Sequence, residues 1–312
     1  MIKEIASIEL PVHENLSIRK THLAPFVDGG EHKRLSLVTG IHGDELDGQY
    51  IVYEVIRRVQ EHPEYLAGEV DLYPAINPLG VDMAIRAIPM FDLDMNRIFP
   101  GSEKGVMAEY FAAALTGDLY GSDLVIDIHS SNIYVQELPQ IRVNEQFEER
   151  VMEYARGMNT DIVWVYSSAN ALEATLAYTM NTLGVPAIVA EMGVGHRINR
   201  AECNQMLTGI FHVMQTMGIW TGPVEEVRTS LVTREGEVSV IRCENSGVFV
   251  SHRSGLGAVS QGELIGEIIL PMEGRVIQEV RAPHDGFVFT LREHPVVYAG
   301  DLIARIHGGM YE

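Results

Sequence analysis

Only two cysteines occur in 312 residues, Cys203 and Cys243. That excludes a disulfide framework and a CxxC-type metal pattern. No run of roughly 18 apolar residues is present, so no membrane-spanning helix is expected. The opening MIKEIASIEL carries Lys3 and Glu4 and lacks the apolar stretch of a signal peptide. A reducing, cytoplasmic setting is the expectation that follows. Positive charge is also scarce: 23 Lys and Arg against 43 Asp and Glu leave a formal charge of −20. Such a surface repels phosphate backbones and anionic lipid, which argues against nucleic-acid and membrane partners. An anionic ligand would need dedicated arginines. Neither G-x-G-x-x-G nor a P-loop occurs, which argues against a nucleotide-dependent enzyme.

What is present is an ordinary globular balance, 46% hydrophobic and 21% charged. The chain is long enough for one large domain with a smaller appendage. From Lys33 to Thr221 short apolar runs alternate with amphipathic stretches, the pattern of α/β layering. Strands are expected at 34–39, 70–76, 124–128, 161–166 and 185–190. Helices are expected at 45–60, 104–115, 145–157, 171–183 and 199–217. Several of the strands are apolar on both faces, as in a sheet covered by helices on each side. Residues 77–101 lack periodicity and read as a long loop, a kind of segment that is more often functional than idle. After Gly222-Pro223 the chain turns Gly- and Val-rich, with short alternating runs such as EVSVIRCE and GFVFTL. Those read as a small all-β module, giving an expected division into 1–225 and 226–312.

Three expected strands end in residues that can do chemistry. The first runs into GIHGDELDG at 40–48, where His42 and Glu45 stand at the carboxyl end of a strand, the side on which open α/β sheets bind ligands. Imidazole nitrogen and carboxylate oxygen are both zinc ligands. Gly43 would allow a tight turn between them. Alone, HxxE also describes a helix start, with Asp44 and Glu45 favoured by the helix dipole. The second strand, in DLVIDIHSS, ends in His129. Alone this would be a partly buried histidine with a backbone partner. Taken with His42 and Glu45, it completes a His₂Glu set with a coordination position left open. The third, in VPAIVAEMG, ends in Glu191, where an apolar setting would raise the carboxyl pKa and suit a general base. Within 77–101, Arg86 and Arg97 stand among Ile85, Ile88, Met90, Phe91, Ile98 and Phe99. Arginine suits carboxylate capture or oxyanion stabilisation, although pairing with Asp82, Asp92 or Asp94 is the plainer role for each alone.

In order, GIHGDE, NP, an Arg, DMNR, FPG, DIHS and AEMG resemble the succinylglutamate desuccinylase/aspartoacylase family of carboxypeptidase A-like zinc hydrolases. The likeness spans about residues 30–220, and the ordered set is more specific than any single motif. It implies an α/β/α sandwich with a central mixed, largely parallel sheet. The C-terminal segment is similar to the barrel-sandwich module that one branch of the family appends. Its AP-x-DG and V-x-x-GD-x-IA patterns, 282–286 and 297–304, look like the lipoyl/biotinyl-carrier barrel. The modified Lys of true carriers is missing, so no swinging arm is expected. The resemblance further implies one Zn²⁺ per chain on His42, Glu45 and His129, with Glu191 as general acid/base. It makes Asn96 and Arg97 the grip on a substrate carboxylate, Arg86 the oxyanion donor and Asp94 the acid orienting His42. DMNR stands where DLNR is commoner, an apolar swap that leaves the polar groups intact.

The implied reaction is hydrolysis of an acetyl- or succinyl-class N-acyl amino acid, or a related small amide, by metal-activated water. Two alternatives remain at this stage: a zinc carboxypeptidase acting on peptides, and a non-catalytic binding or scaffold protein that assembles through the β module. Strand edges of that module leave a homo-oligomer open.

Overall fold

The computed structural model describes residues 1–27, 29–167 and 173–308. An antiparallel hairpin opens the chain, β1 (Ile2–Glu9) with β2 (Asn15–Leu23). β3 (Arg34–Val38) leads to helix α1 (Asp47–Glu61), and β4 (Glu69–Tyr73) to the short α2 (Pro78–Met83). There follow α3 (Met107–Leu119), β5 (Leu124–Ser130), β6 (Val135–Asn144), α4 (Glu148–Gly157) and β7 (Ile162–Tyr166). α5 (Leu176–Thr182), β8 (Ala187–Gly193), α6 (Arg200–Thr216) and β9 (Leu231–Arg234) complete the α/β part. At the expected helix 171–183, residues 171 and 172 lie outside the described residues.

The central sheet runs β1-β2-β4-β3-β5-β8-β6. Its middle pairs, β4–β3, β3–β5 and β5–β8, are parallel, with antiparallel neighbours outside them. Side-chain alternation then assigns faces. Leu124, Ile126 and Ile128 of β5 pack with Ile188, Ala190 and Met192 of β8 in a core shared with α1, α4 and α6. Val125 and Ala187 point the other way, into a core with α3 and α5. Asp127, His129 and Glu191 are on this second face by the same alternation. The helices dock through apolar stripes: Ile51, Val52, Val55 and Val59 of α1 are all buried. Each such side chain stabilises the fold by roughly 1.5–3 kcal/mol against exposure. α6 starts where Asn199 accepts the amides of Ala201 and Glu202, satisfying two donors that a helix start would leave unpaired.

The last part of the chain is all β: β10 (Val238–Arg242), β11 (Gly247–Ser251), β12 (Gly257–Val259), β13 (Leu264–Leu270), β14 (Arg275–Arg281), β15 (Gly286–Arg292), β16 (Val296–Val297) and β17 (Leu302–His307). A four-stranded sheet, β14-β13-β11-β16, faces the strands β12, β15, β17 and β10 across a core containing Phe249, Ile265, Ile268, Val288 and Ile306. The module is not held by a linker alone. β6 forks: at 140–144 it pairs with β7, and at 135–137 it pairs with β15, so the central sheet continues into the module. Among the described residues no helix is long and apolar enough to cross a membrane.

The expected strands and helices are present, with ends shifted by a few residues, and further elements join them. The hairpin β1–β2 has little apolar signal, because Ala6 and Ile18 are its only fully buried hydrophobics. β6 is masked in the sequence by Pro139 and by charges at Glu137 and Arg142. The loop 77–101 contains α2, begun by Asn77 accepting the Gly80 amide at 2.9 Å.

Candidate metal and substrate site

Behind β3 the chain turns at Gly40, whose φ of +68° and closeness to Pro74 admit no side chain; a Cβ there would stand 2.8 Å from the Pro74 carbonyl oxygen. His42 and Glu45 follow in the connection, because α1 begins only at Asp47. Asp44 therefore precedes the helix rather than starting it, with its Oδ1 buried and unpartnered among the described residues. Gly43 answers a packing need rather than a turning one: a Cβ would fall 1.9 Å from the carbonyl carbon of Gly80 in α2. Close backbone approach lets α2 buttress the turn that carries both residues.

His129 arrives from the end of β5, and the three side chains meet. Glu45 Oε1 lies 2.7 Å from His42 Nδ1, and Oε2 lies 2.7 Å from His129 Nδ1. The two imidazole Nδ1 atoms are 3.1 Å apart. All three side chains are buried, and their ligating atoms lie within 4.8 Å of one another. Two imidazoles and a carboxylate aimed at one point form a donor set that suits a divalent cation such as zinc. Behind the rings stand acids: Asp94 Oδ1 is 3.0 Å from His42 Nε2, and Asp127 Oδ1 is 3.1 Å from His129 Nε2. Carboxylates so placed fix the tautomer that turns Nδ1 toward a metal. Asp127 is not among the residues singled out in the sequence. Its signal was the D-x-H spacing, which puts both side chains on one face of a strand.

The electrostatics follow from crowding. Burial pushes Glu45 up, but His129 and His42 outweigh it and hold the carboxyl down at about 2. Burial pushes both imidazoles down, and the acids around them win: Asp127 and Glu45 raise His129 well above the usual value, and Glu45 and Asp94 raise His42. Asp94 is held low by His42, Arg86 and Arg97 against its own burial.

Glu191 is the direct Cα partner of His129 across β5 and β8. Burial raises its carboxyl, and Arg142 on β6 opposes that from 3.0 Å without cancelling it. Arg86 spans Glu45 (3.0 Å) and Asp94 (3.2 Å). Asn96 Oδ1 accepts the Leu176 amide at 2.9 Å, which turns its Nδ2 toward His129 Nε2 at 3.4 Å. Arg97 is braced by donating to the Asn96 carbonyl oxygen at 2.7 Å. His42, Glu45, His129, Glu191, Arg86, Asn96 and Arg97 all border one cavity of about 900 Å³, and Asp94 touches it through His42. The opposite wall belongs to the C-terminal module, through Arg292, His294, Tyr298 and Arg305. Glu137, Arg142 and Arg305 carry no local sequence signal, since their charged partners Glu191 and Glu137 come from strands distant in sequence.

The sequence pattern of the succinylglutamate desuccinylase/aspartoacylase catalytic domain matches residues 31–217. No curated protein matches the chain. Among solved structures, a succinylglutamate desuccinylase/aspartoacylase from Rhodobacter sphaeroides is similar with a TM-score of 0.81 and 22% identity, covering 96% of this chain and 91% of that one. The product-bound ectoine utilization protein EutE from Ruegeria pomeroyi is similar at 0.81 and 20%, covering 95% and 90%. An aspartoacylase family protein from Mesorhizobium loti gives 0.81 and 19%, covering 100% and 95%. At these identities the likeness speaks for the fold, and the fold includes the β module.

Proposed function

Because the chain belongs to the succinylglutamate desuccinylase/aspartoacylase family, we propose that it is a zinc-dependent amidohydrolase. It removes an acetyl- or succinyl-class acyl group from an N-acyl amino acid or a related small amide. The observation that carries this reading is the convergence of buried His42, Glu45 and His129 beside Glu191 on one cavity. The three would hold one Zn²⁺, with residues 1–225 as the hydrolase domain and 226–312 as the C-terminal segment, which lends β9 to the central sheet and walls the cavity through its β module. What the metal supplies when bound is Lewis acidity, which lowers the pKa of a water toward about 7 and polarises a carbonyl.

The chain's own groups do the rest. Glu191 takes a proton from the attacking water as the new C–O bond forms, and returns it to nitrogen as the C–N bond breaks. The products are a carboxylic acid and a free amine. A raised carboxyl pKa favours that return. Arg86 donates to the developing oxyanion. Asn96 and Arg97 hold the substrate carboxylate, and Asp94 keeps His42 in the ligating tautomer.

The test is a metal analysis of the purified protein together with a hydrolysis screen of N-acetyl-, N-formyl- and N-succinyl-amino acids with zinc added. The expected result is about one zinc per chain and turnover of at least one panel member. Zinc without turnover of the panel would favour a peptidase, and a chain with neither would favour the scaffold.

A further inference from the structure

Arg142 divides its fork between two carboxylates. Nη2 donates to both oxygens of Glu137, at 3.0 and 2.8 Å, and Nη1 stands 3.0 Å from Glu191. Glu137 in turn accepts from the module: Thr290 Oγ1 at 3.0 Å and Arg305 Nη1 at 2.8 Å. Glu137 pairs with Thr290 across β6 and β15, and Thr290 pairs with Arg305 across β15 and β17. The three thus occupy one rung crossing the seam where the central sheet joins the module. The guanidiniums of Arg142 and Arg305 both lie over the Trp164 ring, 5.6 and 5.1 Å from its centroid, which fixes their planes. A buried carboxylate, Glu137, and a partly exposed one, Glu191, are matched by two guanidiniums, one from each part of the chain.

We propose that the C-terminal β module positions the catalytic base: Arg305 holds Glu137, and Glu137 so held keeps Arg142 against Glu191. Arg305 is a positioning residue, linked to Glu191 only through Glu137 and Arg142. Its role is set by charge matching. Without Arg305 one guanidinium faces two carboxylates, and the buried one, Glu137, stripped of its partner, recruits whatever cation is near. Arg142 then closes on Glu137 and releases Glu191. The module is in this way part of the site's machinery as well as its wall. The inference rests on Glu191 acting as the base in the reaction proposed above.

The test uses the full chain with Arg305→Met, which keeps the stem over Trp164, and Arg305→Lys, which keeps the charge. In a crystal structure of Arg305→Met, the Arg142–Glu191 contact is expected to open beyond hydrogen-bond reach. On the amide that the wild type turns over, kcat is expected to fall at least about tenfold, part of what a general base contributes, with KM within about twofold. Zinc content stays at the wild-type level, and Arg305→Lys recovers part of the loss. Combining Arg305→Met with Glu137→Gln should cost less than the two losses summed, since both break one chain of contacts. Arg281→Met, which removes an exposed cation of the same module, leaves kcat unchanged. Arg142 remaining on Glu191 in Arg305→Met, or an undiminished kcat, overturns the proposal. Should Arg305→Met fail to fold, Arg305→Gln, which removes the charge but keeps a polar head for Glu137, carries the same two readouts. If no panel member is hydrolysed by the wild type while Arg142 still leaves Glu191 in the variant, the reaction is withdrawn and the coupling of the module to Glu191 stands.

Discussion

On one face of the central sheet, Lys20 of β2 is buried between Asp71 and Asp118, 3.0 and 2.7 Å away. Asp118 also accepts the Tyr73 hydroxyl at 2.7 Å, and Asp71 faces His22 at 2.8 Å. At the strand ends of the same sheet lies the second buried cluster, His42, Glu45 and His129 with Asp94 and Asp127 behind them. In the first cluster a lysine sits inside and every acid has a donor. In the second the cation that reaches Glu45 is Arg86, which comes from the long loop with a side chain 38% exposed. Both have buried centres, yet one closes around a lysine ammonium and the other brings two imidazoles and a carboxylate to a single point. A charge-closed cluster contributes to the fold. An acceptor cluster suits a cation brought from outside.

The largest effect expected from breaking this contrast is at the open cluster. His129→Ala should lose tightly held zinc and all measurable turnover while the fold persists, as metal analysis, assay and circular dichroism would record. Glu191→Gln should keep zinc and lose roughly 10²–10⁴ in kcat, and retained turnover would remove it as the base. The closed cluster should answer in the opposite currency. Lys20→Met removes the ammonium that two acids share and is expected to cost about 3–5 kcal/mol in urea unfolding, with zinc content and kcat per folded molecule unchanged. Asp94→Asn should weaken zinc about 10–100-fold in a chelator competition, because the ring behind it loses its orienting acid. Smallest per step is pH. Both imidazoles are raised above the ordinary histidine value by the acids around them, and each must shed a proton to ligate. Zinc affinity should therefore fall as pH drops below those raised values, by up to about tenfold per unit for each proton displaced, and level off above them. Affinity that is flat from neutral pH downward would contradict ligation by either ring.

Much of the α/β part was legible because its strands are short apolar runs and its helices carry apolar stripes. Leu124–Ser130 and Ala187–Gly193 could be read from composition alone, and so could the His and Glu that end them. The hairpin and β6 were not legible, since polar and charged residues interrupt their apolar ones, and β6 is made a strand by β8, distant in sequence. Gly43 was legible as important but for the wrong reason. Its partner, Gly80, is 37 positions away and touches it only after α2 docks.

From the sequence alone came the residue types and their order: three chemistry-bearing strand ends, an arginine loop, and a β-rich tail. Alternation along β5 and β8 then committed Asp127, His129 and Glu191 to one face. Tertiary structure decided what each of those side chains meets. It gave Glu191 a guanidinium from β6 and supplied Glu137 with an arginine from a strand 168 residues on. Such pairings depend on register between strands that share no local sequence signal, and a one-residue slip would turn each of them to the other face.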